Sequence, residues 1–582
     1  MKKIYGFLGA AALLMMVGCS KDDAGGAQNT PDSKGGDMFM SLTIAPTSST
    51  DSRTQTGNTG TEVGKDYENE VKDAVIILAT LDQGVYKPFK TFSPTLKGTN
   101  PYYSSVFEVN RDDVAANTYY VFVVANPGGL KSDLMGLSAS SSIQKVFELA
   151  ADADTYWSET NGFLMTNADV VFKAIGEEDI AKGKHTTESD PLNLGTVKIQ
   201  RAMSRFDIDV NNLSKTVEDP ESTLKDITFT FDAVALVNQA TKANLFKVTS
   251  NNTDAGEGET NAGTNLQTEY EEYISKLTSS PIFSFNEESV NNYVFSPVQE
   301  AFTLPLYSSS IVNGKFESGD KVQKNLAEMF TSGNGYLELN PSALPPQDNE
   351  FEQPTPNLPT TRDYRIFRYC MENTNYDKDN QFHGNTTGIV FRAKMSGTNI
   401  PAAPNGAAEQ AIYAFNEKIY GTATQLRESF TSDNKANPTN DLANIAYYGA
   451  IDKYVAADNE FNIETATTYA ALSVLDAKLV ENGFTIYRPD GNNYYSYYLY
   501  WNRHNDNGTD KNTIMGPMEF ATVRNNIYKL SVTKVSRLGH PGDPNDDPDP
   551  DDPGDEDEKD HLFFSVECEI LKWVVRGNDI EF

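Results

Sequence analysis

Apolar and polar side chains alternate with a period of two near both ends of the chain. Near the start, in MFMSLTIAP, one face carries Met38, Met40, Leu42 and Ile44. Near the end, in FFSVECEILKW, the alternating apolar residues are Phe564, Val566, Cys568 and Ile570. A period of two predicts a β-strand with one buried face. The chain is therefore predicted to carry two similar strands, one at each end.

The body of the chain reads mainly as β-structure, because β-branched and aromatic residues form runs separated by Gly, Pro, Asn and Asp. The runs are Asp73 to Leu81, Asn117 to Pro127, Gly195 to Val210, Asp226 to Phe246, Thr386 to Met395, Asn492 to Trp501 and Asn525 to Leu538. Helical spacing predicts a few inserted helices at Ser141 to Ala153, Ala407 to Tyr420 and Thr467 to Asn482. Strands in this arrangement favour antiparallel β-sandwiches.

Two polar segments flank the terminal strands. After the first strand comes TSSTDSRTQTGNTGTEVG, which has no apolar periodicity and predicts a mobile, cleavable loop with Arg53 in its middle. Before the last strand lies an acidic, Pro-rich spacer over residues 541–560, which is predicted to stay extended and solvated. The first strand could thus be cut away, and the last could reach another molecule.

The first eighteen residues resemble a signal peptide, with Lys2 and Lys3 before an apolar run from Ile4 to Val17 that Gly18 follows. Cys19 follows directly, as in a bacterial lipobox, where the cysteine is lipidated and becomes the first mature residue. The alternative is an ordinary signal peptide with an incidental cysteine. The sequence predicts an exported lipoprotein precursor that reaches the outer membrane only through its lipid.

The net charge of −34 makes nucleic acid and anionic membrane surfaces poor partners. With Cys19 assigned to the lipobox, Cys370 and Cys568 remain, and two cysteines in so long a chain are no disulfide scaffold. A buried thiol is the expected state of Cys568. A bridge between Cys370 and Cys568, within or between molecules, stays open.

Recognisable catalytic motifs are missing from the sequence, so we expect neither an enzyme nor a cofactor. The five histidines have no zinc-site spacing, and acidic pairs such as Asp207 and Asp209 arise by chance in so acidic a chain. Calcium binding by the acidic spacer is an alternative to a purely solvated linker. The tyrosine-rich run Tyr494 to Trp501 favours a strand packed on both faces over a carbohydrate-binding surface.

Several of these segments together resemble the fimbrillins of type V pili, and in particular the major shaft subunit of the short, Mfa-type fimbria. The resemblance runs through the whole chain in the same order. It rests most on VRNNIYKLSVTKVSRLG from Val523, on the Asp- and Pro-rich spacer and on FFSVECEILKW from Phe563. Weaker support comes from FLMTN, from VKIQRAMSRFDI and from NTTGIVFRAK.

The resemblance implies two transthyretin-like antiparallel β-sandwich domains and assembly by strand exchange. In that family an arginine-specific surface protease removes the first strand, and a C-terminal donor strand from a neighbouring subunit fills the groove. Arg53 and Thr54 match the cleavage position. The implied partners are copies of the same chain, anchor and tip fimbrial subunits, the protease, and host or bacterial surface receptors.

The expected organisation has six parts. They are a signal peptide (1–18), a propeptide with the removable strand (19–53), an N-terminal domain (54–220), a C-terminal domain (221–540), the spacer (541–560) and the donor strand (561–582). The expected role is a structural shaft subunit of a surface fimbria that supports adhesion and biofilm formation. The alternatives are a tip or accessory adhesin of the same family, or a surface glycan-binding lipoprotein.

Overall fold

The chain is mainly β, with several antiparallel sheets and few helices, as the sequence predicts. The computed structural model describes residues 36–46, 60–143, 146–148, 156–249, 294–308, 311–312, 315–316, 323–340, 362–374, 385–401, 410–430, 435, 441–504, 520–548 and 564–574. Among these residues, no helix combines the length and the apolar character needed to cross a membrane.

The strands are numbered in chain order. Those before residue 220 are β1 (Asp37–Pro46), β2 (Gly60–Val63), β3 (Ala74–Asp82), β4 (Val85–Phe92), β5 (Lys97–Thr99), β6 (Tyr102–Asn110), β7 (Asn117–Ala125), β8 (Val146–Glu148), β9 (Trp157–Ser158), β10 (Gly162–Phe163), β11 (Met165–Asn167), β12 (Val171–Ile175), β13 (Leu192–Arg201), β14 (Met203–Asp209) and β15 (Ser214–Thr216).

The later strands are β16 (Ile227–Val237), β17 (Gln239–Ala240), β18 (Lys242–Asn244), β19 (Val248–Thr249), β20 (Val294–Phe295), β21 (Phe302–Thr303), β22 (Ile311–Val312), β23 (Lys315–Phe316), β24 (Leu337–Glu338), β25 (Tyr364–Met371), β26 (Gly388–Gly397), β27 (Ile412–Phe415), β28 (Lys418–Ile419), β29 (Thr485–Tyr487), β30 (Pro489–Asp490), β31 (Asn493–Trp501), β32 (Asn526–Val535) and β33 (Phe564–Val574). The helices are α1 (Asp66–Asn69), α2 (Lys131–Met135), α3 (Ala423–Ser429), α4 (Leu442–Ala456), α5 (Tyr469–Leu472) and α6 (Asp476–Val480).

The first core is organised around a nine-stranded sheet in the order β4-β3-β7-β11-β13-β1-β6-β5, with β12 paired to β7. The strands β3 and β7 supply near-continuous buried apolar runs, AVIILA and YVFVVA. Such runs are typical of strands that are covered on both faces. β1 lies in the interior of this sheet, with a neighbour on each side.

The second core lies between two sheets that face each other. One has the order β2-β33-β32-β14-β25, and the other has the order β15-β16-β26-β31-β30, with β24 paired to β16. A single apolar cluster contains Phe206 and Leu530 from the first of these sheets and Phe231 and Phe391 from the second. Inner faces that pack in this way make a β-sandwich.

The tyrosine-rich strand β31 packs on both faces, as predicted. Tyr494 and Tyr498 belong to the second core, whereas Tyr495 and Tyr497 pack in a separate cluster with Phe330. These four tyrosines are therefore core residues.

A third apolar cluster is built from the helices α3 to α6 and the hairpin β27–β28. The predicted helix at Thr467 to Asn482 is found there as α5 and α6, joined by a 3-10 turn at Ser473–Leu475. The longest helix, α4, was not predicted. Its amide groups at Ala443 and Asn444 donate to the Asp441 side chain, which caps the helix.

The other two helix predictions are wrong. The segment Ala407 to Tyr420 contains the hairpin β27–β28, whose two turn residues Asn416 and Glu417 both have positive φ, as in a type I′ turn. The segment Ser141 to Ala153 contains β8, which pairs with β18. In both cases, pairing with a neighbouring strand overrides local helical spacing.

The first eight residues of the predicted spacer fold onto the second half of the chain. Asp546 accepts hydrogen bonds from Arg488 at 2.6 and 2.7 Å, and Asp547 pairs with His540 at 2.8 Å. The amide of Leu326 donates to the carbonyl of Gly542. An extended, solvated spacer can therefore begin no earlier than residue 549.

Candidate strand-exchange site

The strand β1 fills a slot between β6 and β13. It runs antiparallel to β6, in a register that opposes Met40 to Phe107 and Ile44 to Tyr103. It runs parallel to β13, where Met40 is opposite Leu192. The register with β13 shifts between Ser41 and Thr43. A strand in this position satisfies the backbone donors and acceptors of two neighbours at once.

The alternation predicted for this strand is present in the structure. Met38, Met40 and Ile44 are completely buried, and Leu42 is 1% exposed. They pack in one cluster with the apolar residues of β3, β7 and β13. The facing positions on β6 are also buried, so the slot is apolar on its inner side. Burying a large apolar side chain stabilises a fold by roughly 1.5 to 3 kcal/mol, so β1 is a substantial part of the first core.

The chain between β1 and β2 joins two different sheets. β1 ends at Pro46 in the nine-stranded sheet, and β2 starts at Gly60 in the sheet that contains β33. The predicted cleavage position, Arg53 and Thr54, falls in this connection and lies outside the described residues, as does Cys19. A cut there would separate β1 from the rest of the chain.

The C-terminal strand β33 lies within its own chain. It runs antiparallel to β32 and parallel to β2. Its predicted apolar positions fall opposite residues of β32: Phe564 opposite Val535, Val566 opposite Val532, Cys568 opposite Leu530 and Ile570 opposite Tyr528. Of these partners, Tyr528, Leu530 and Val535 are completely buried in the second core.

β1 and β33 share one pattern of pairing. Each has an antiparallel neighbour on one side and a parallel neighbour on the other. A strand that replaces β1 in the same direction must pair antiparallel with β6 and parallel with β13. In its own sheet, β33 makes the antiparallel pairing from Phe564 to Lys572 and the parallel pairing from Leu571 to Val574.

A buried ionic cluster lies beside these strands. Arg205 on β14 donates to both carboxylate oxygens of Asp207 at 2.8 and 2.9 Å and to Glu68 at 3.1 and 3.3 Å. It also pairs with Glu62 on β2. Lys529 on β32 pairs with Glu62 and lies 3.5 Å from Asp207. Arg205 and Lys529 are no more than 1% exposed, so both cations depend on these carboxylates.

Arg201 and Tyr369 complete the cluster. The Arg201 guanidinium donates to the carbonyl of Glu68 at 3.0 Å and to the side chain of Asn525 at 3.2 Å. Burial lowers its pKa to about 9. Tyr369 donates to Glu68. Three cations, Arg201, Arg205 and Lys529, thus face three carboxylates, Glu62, Glu68 and Asp207.

Burial alone would raise the pKa of the Glu62 carboxyl, but the charges of Arg205 and Lys529 outweigh that effect and lower it. Glu62 therefore carries its charge at neutral pH. The sequence reasoning missed this cluster, because its members are spread from residue 62 to residue 529. The one local indication of the cluster is the spacing of Arg205 and Asp207, which places both side chains on the same face of a strand.

The carboxylates Asp207 and Asp209 bind different partners. Asp207 binds Arg205, whereas Asp209 accepts from the Ser531 hydroxyl at 2.8 Å and from the Asp363 amide at 3.0 Å. In the described part of the chain, no group of His, Cys, Asp and Glu side chains is arranged to hold a metal ion.

Cys370 is a free, buried thiol on β25. Burial raises its pKa to about 12. β25 is separated from β33 by β14 and β32, a distance of about 14 Å at the usual strand spacing. A disulfide needs Cα atoms within about 7 Å, so Cys370 and Cys568 cannot bridge within this arrangement of one chain.

Residues 492–579 match the profile of the family described as "Major fimbrial subunit protein type IV, Fimbrillin, C-terminal". The matched segment begins just before β31 and extends through β32 and β33. The fimbrillin resemblance predicted from the sequence is thereby confirmed for residues 492–579, while the closeness to the Mfa-type shaft subunit stays a prediction. The search of curated proteins finds no match to this chain.

Solved structures with similarity to the chain are fimbrial and adhesion proteins of low sequence identity. A fimbrilin of Porphyromonas gingivalis is 12% identical, with 92% of this chain and 99% of that chain covered and a TM-score of 0.34. The tip fimbrial protein Mfa3 of the same species, with a C-terminal truncation, is 10% identical, with 92% and 100% covered and a TM-score of 0.31. A putative cell adhesion protein from Parabacteroides distasonis is 11% identical, with 92% and 100% covered and a TM-score of 0.36.

Proposed function

We propose that this chain, whose C-terminal region is that of a fimbrillin, is a structural shaft subunit of a surface fimbria. In this proposal, cleavage after Arg53 removes β1, and β33 of a neighbouring subunit takes its place. The observation that carries the proposal is the equivalence of the two strands. Both alternate apolar residues with a period of two, and both pair antiparallel on one side and parallel on the other.

Loss of β1 creates a strong drive to bind a strand. It would expose the apolar inner positions of the slot, including Phe107 and Val197, together with two unpaired strand edges. Both kinds of surface are unfavourable in water. A replacement strand with four apolar residues recovers roughly 1.5 to 3 kcal/mol for each large side chain it buries, before entropic costs. Strand addition also restores the backbone hydrogen bonds.

The geometry of this exchange produces a filament. The slot is in the nine-stranded sheet, whereas the donor strand leaves from the other half of the chain. Donor and acceptor surfaces are therefore different, and a contact between different surfaces of identical subunits propagates head to tail. Anchor and tip subunits would end the filament, and its surface would meet host or bacterial receptors.

Export completes the proposal. The precursor would be lipidated at Cys19 and attached to the outer membrane until an arginine-specific protease removes the segment that carries the lipid. A structural role fits the fimbrillin match better than an enzymatic one. The mature subunit would then belong to the fimbria on the cell surface.

N-terminal sequencing of subunits isolated from assembled filaments tests the proposal. The expected first residue is Thr54. Filaments whose subunits keep an intact, lipidated Cys19 would overturn it. In the variant Arg53→Ala, electron microscopy of the cell surface should show loss of filaments, because β1 cannot leave its slot.

A further inference from the structure

Before any assembly takes place, the C-terminal strand pairs with a neighbour along one side and with a second neighbour at one end of its other side. Its inner neighbour, β32, pairs with it from Phe564 to Lys572. Its outer neighbour, β2, covers only the segment from Leu571 to Val574. If β33 is to serve another subunit, it must first leave this site. β2 pairs with fewer residues of β33 than β32 does, so β2 should separate more easily unless another interaction holds it in place.

Glu62 holds the outer neighbour in place. Its carboxylate pairs with Arg205 and Lys529, on β14 and β32. The order of the sheet is β2-β33-β32-β14, so both cations belong to strands on the far side of β33. The ion pairs therefore cross the C-terminal strand from one side to the other. All three charged groups are less than 10% exposed, and the loss of one partner of such a pair is strongly destabilising.

We propose that Glu62 is a latch that keeps the C-terminal strand in its own subunit until assembly. This inference rests on the proposed function, because it assigns a restraint to the strand that the proposal donates. The latch prevents premature exchange between precursors. It also leaves the second core covered while the subunit is exported.

The connection between β1 and β2 links the latch to the proposed cleavage. While residues 47–59 are intact, β2 is tied at its N-terminal end to β1, which is buried in the other sheet. A cut after Arg53 gives the segment before β2 a free end. The same cut that opens the acceptor slot thus allows β2 to peel away from the donor strand.

Hydrogen exchange measured by mass spectrometry on the unlipidated, uncleaved precursor tests the latch. Peptides that cover β33 report on the latch, and peptides that cover β7 report on the first core. In Glu62→Gln, exchange in β33 should be about tenfold faster than in the wild type, with β7 unchanged, because opening of the outer flank becomes easier. If Glu62→Gln also loosens β7, Glu62→Asp keeps the charge on a shorter side chain and should give a smaller acceleration confined to β33.

Glu68→Gln is the matched control. Glu68 is buried in the same cluster and binds the same Arg205, but it lies on α1 and not on a strand beside β33. Exchange in β33 should accelerate clearly less in this variant than in Glu62→Gln, because Glu62 and Asp207 still pair with Arg205 and β2 stays in place. Equal acceleration in both variants, or none in Glu62→Gln, would overturn the latch. The precursor is neither cut nor assembled in this experiment. A failed latch prediction would therefore not bear on the proposed function, which N-terminal sequencing at Thr54 tests separately.

Discussion

β1 and β33 are similar in sequence pattern and in pairing, but they are held in different ways. β1 is paired along most of its length on both sides, and its four apolar side chains are buried in the first core. β33 is paired along its length with β32 only, and β2 covers one end of its outer side. The comparison explains why one strand would need proteolysis to leave, whereas the other would need only a local opening.

Deletion of residues 561–582 should have the largest effect on assembly. The acceptor slot would remain, but no strand could fill it, so filaments should disappear while folded monomers accumulate. Electron microscopy and analytical ultracentrifugation check this result. Filaments of normal length would contradict the shaft role. A variant that is still incorporated, but only at filament ends, would point to the tip role.

A charge placed on the apolar face of β33 should have the next largest effect on assembly. Ile570→Asp should abolish assembly and yield monomers, since a buried unpaired carboxylate costs several kcal/mol. Val566→Asp should also reduce assembly, but it should destabilise the precursor less than Ile570→Asp does. The reason is that Val532, opposite Val566, is half-buried, whereas Tyr528, opposite Ile570, is completely buried. Ser565→Asp is the control on the other face and should still assemble. Sedimentation after proteolysis measures all three, and normal filaments from Ile570→Asp would contradict the prediction.

The pH dependence of stability shows whether Glu62 holds β2 through its charge or through its packing. The lowered pKa of Glu62 means that its stabilisation is present above the ordinary carboxyl value of 4.5 and is lost as the pH falls through the folded value. Near neutral pH, the second core of Glu62→Gln should be less stable than that of the wild type by about 1.4 kcal/mol, the equivalent of tenfold faster exchange in β33, and the difference should shrink progressively below about pH 4.5. Among residues whose side chains are described, the charged and titratable groups around Glu62 are Arg205, Lys529, Asp207 and Glu68.

Denaturant unfolding at several pH values measures this difference. The Glu68→Gln variant, analysed in the same series, controls for the other carboxylate of the cluster. A difference between wild type and Glu62→Gln that is independent of pH would show that the Glu62 charge does not hold β2.

The smallest effect is expected for the thiol of Cys370. With a pKa of about 12, roughly one molecule in 10,000 carries the thiolate at pH 8, so labelling of the folded protein should be very slow. Cys370→Ser should leave assembly intact. Reaction with a thiol reagent, followed by peptide mapping, measures the rate at each cysteine. Rapid labelling of Cys370 in the folded protein would contradict its burial.

Much of the strand content could be read from the sequence, because alternation and β-branched runs are local signals. Asp73 to Leu81 appears as β3 almost unchanged. The run Gly195 to Val210, however, divides at Ala202 into β13 and β14, which belong to different sheets. Nothing in the local pattern marks that change of sheet, since apolar residues continue through it.

The remaining differences come from contacts between distant parts of the chain. The hairpin at Asn416 and Glu417 overrides the helical spacing of Ile412, Phe415 and Ile419. The ionic cluster joins Glu62 to Lys529, and no local pattern links such distant residues. The alternation of β1 was predictable from its sequence. The pairing of β33 within its own chain was not, because the spacer before it does not indicate which strand it would join.

Disulfide trapping in assembled filaments tests most directly whether β33 of one subunit fills the β1 slot of the next. Cys568 supplies one thiol, and Ser105→Cys or Phe107→Cys supplies the other from the buried row of β6; Ser104→Cys, on the exposed row, is the control. Oxidation should give covalent multimers with Ser105→Cys or Phe107→Cys, none with Ser104→Cys, and none once Cys568 is replaced by Ser. Filaments in which Cys568 is instead trapped only against Leu530→Cys of its own chain would contradict the exchange.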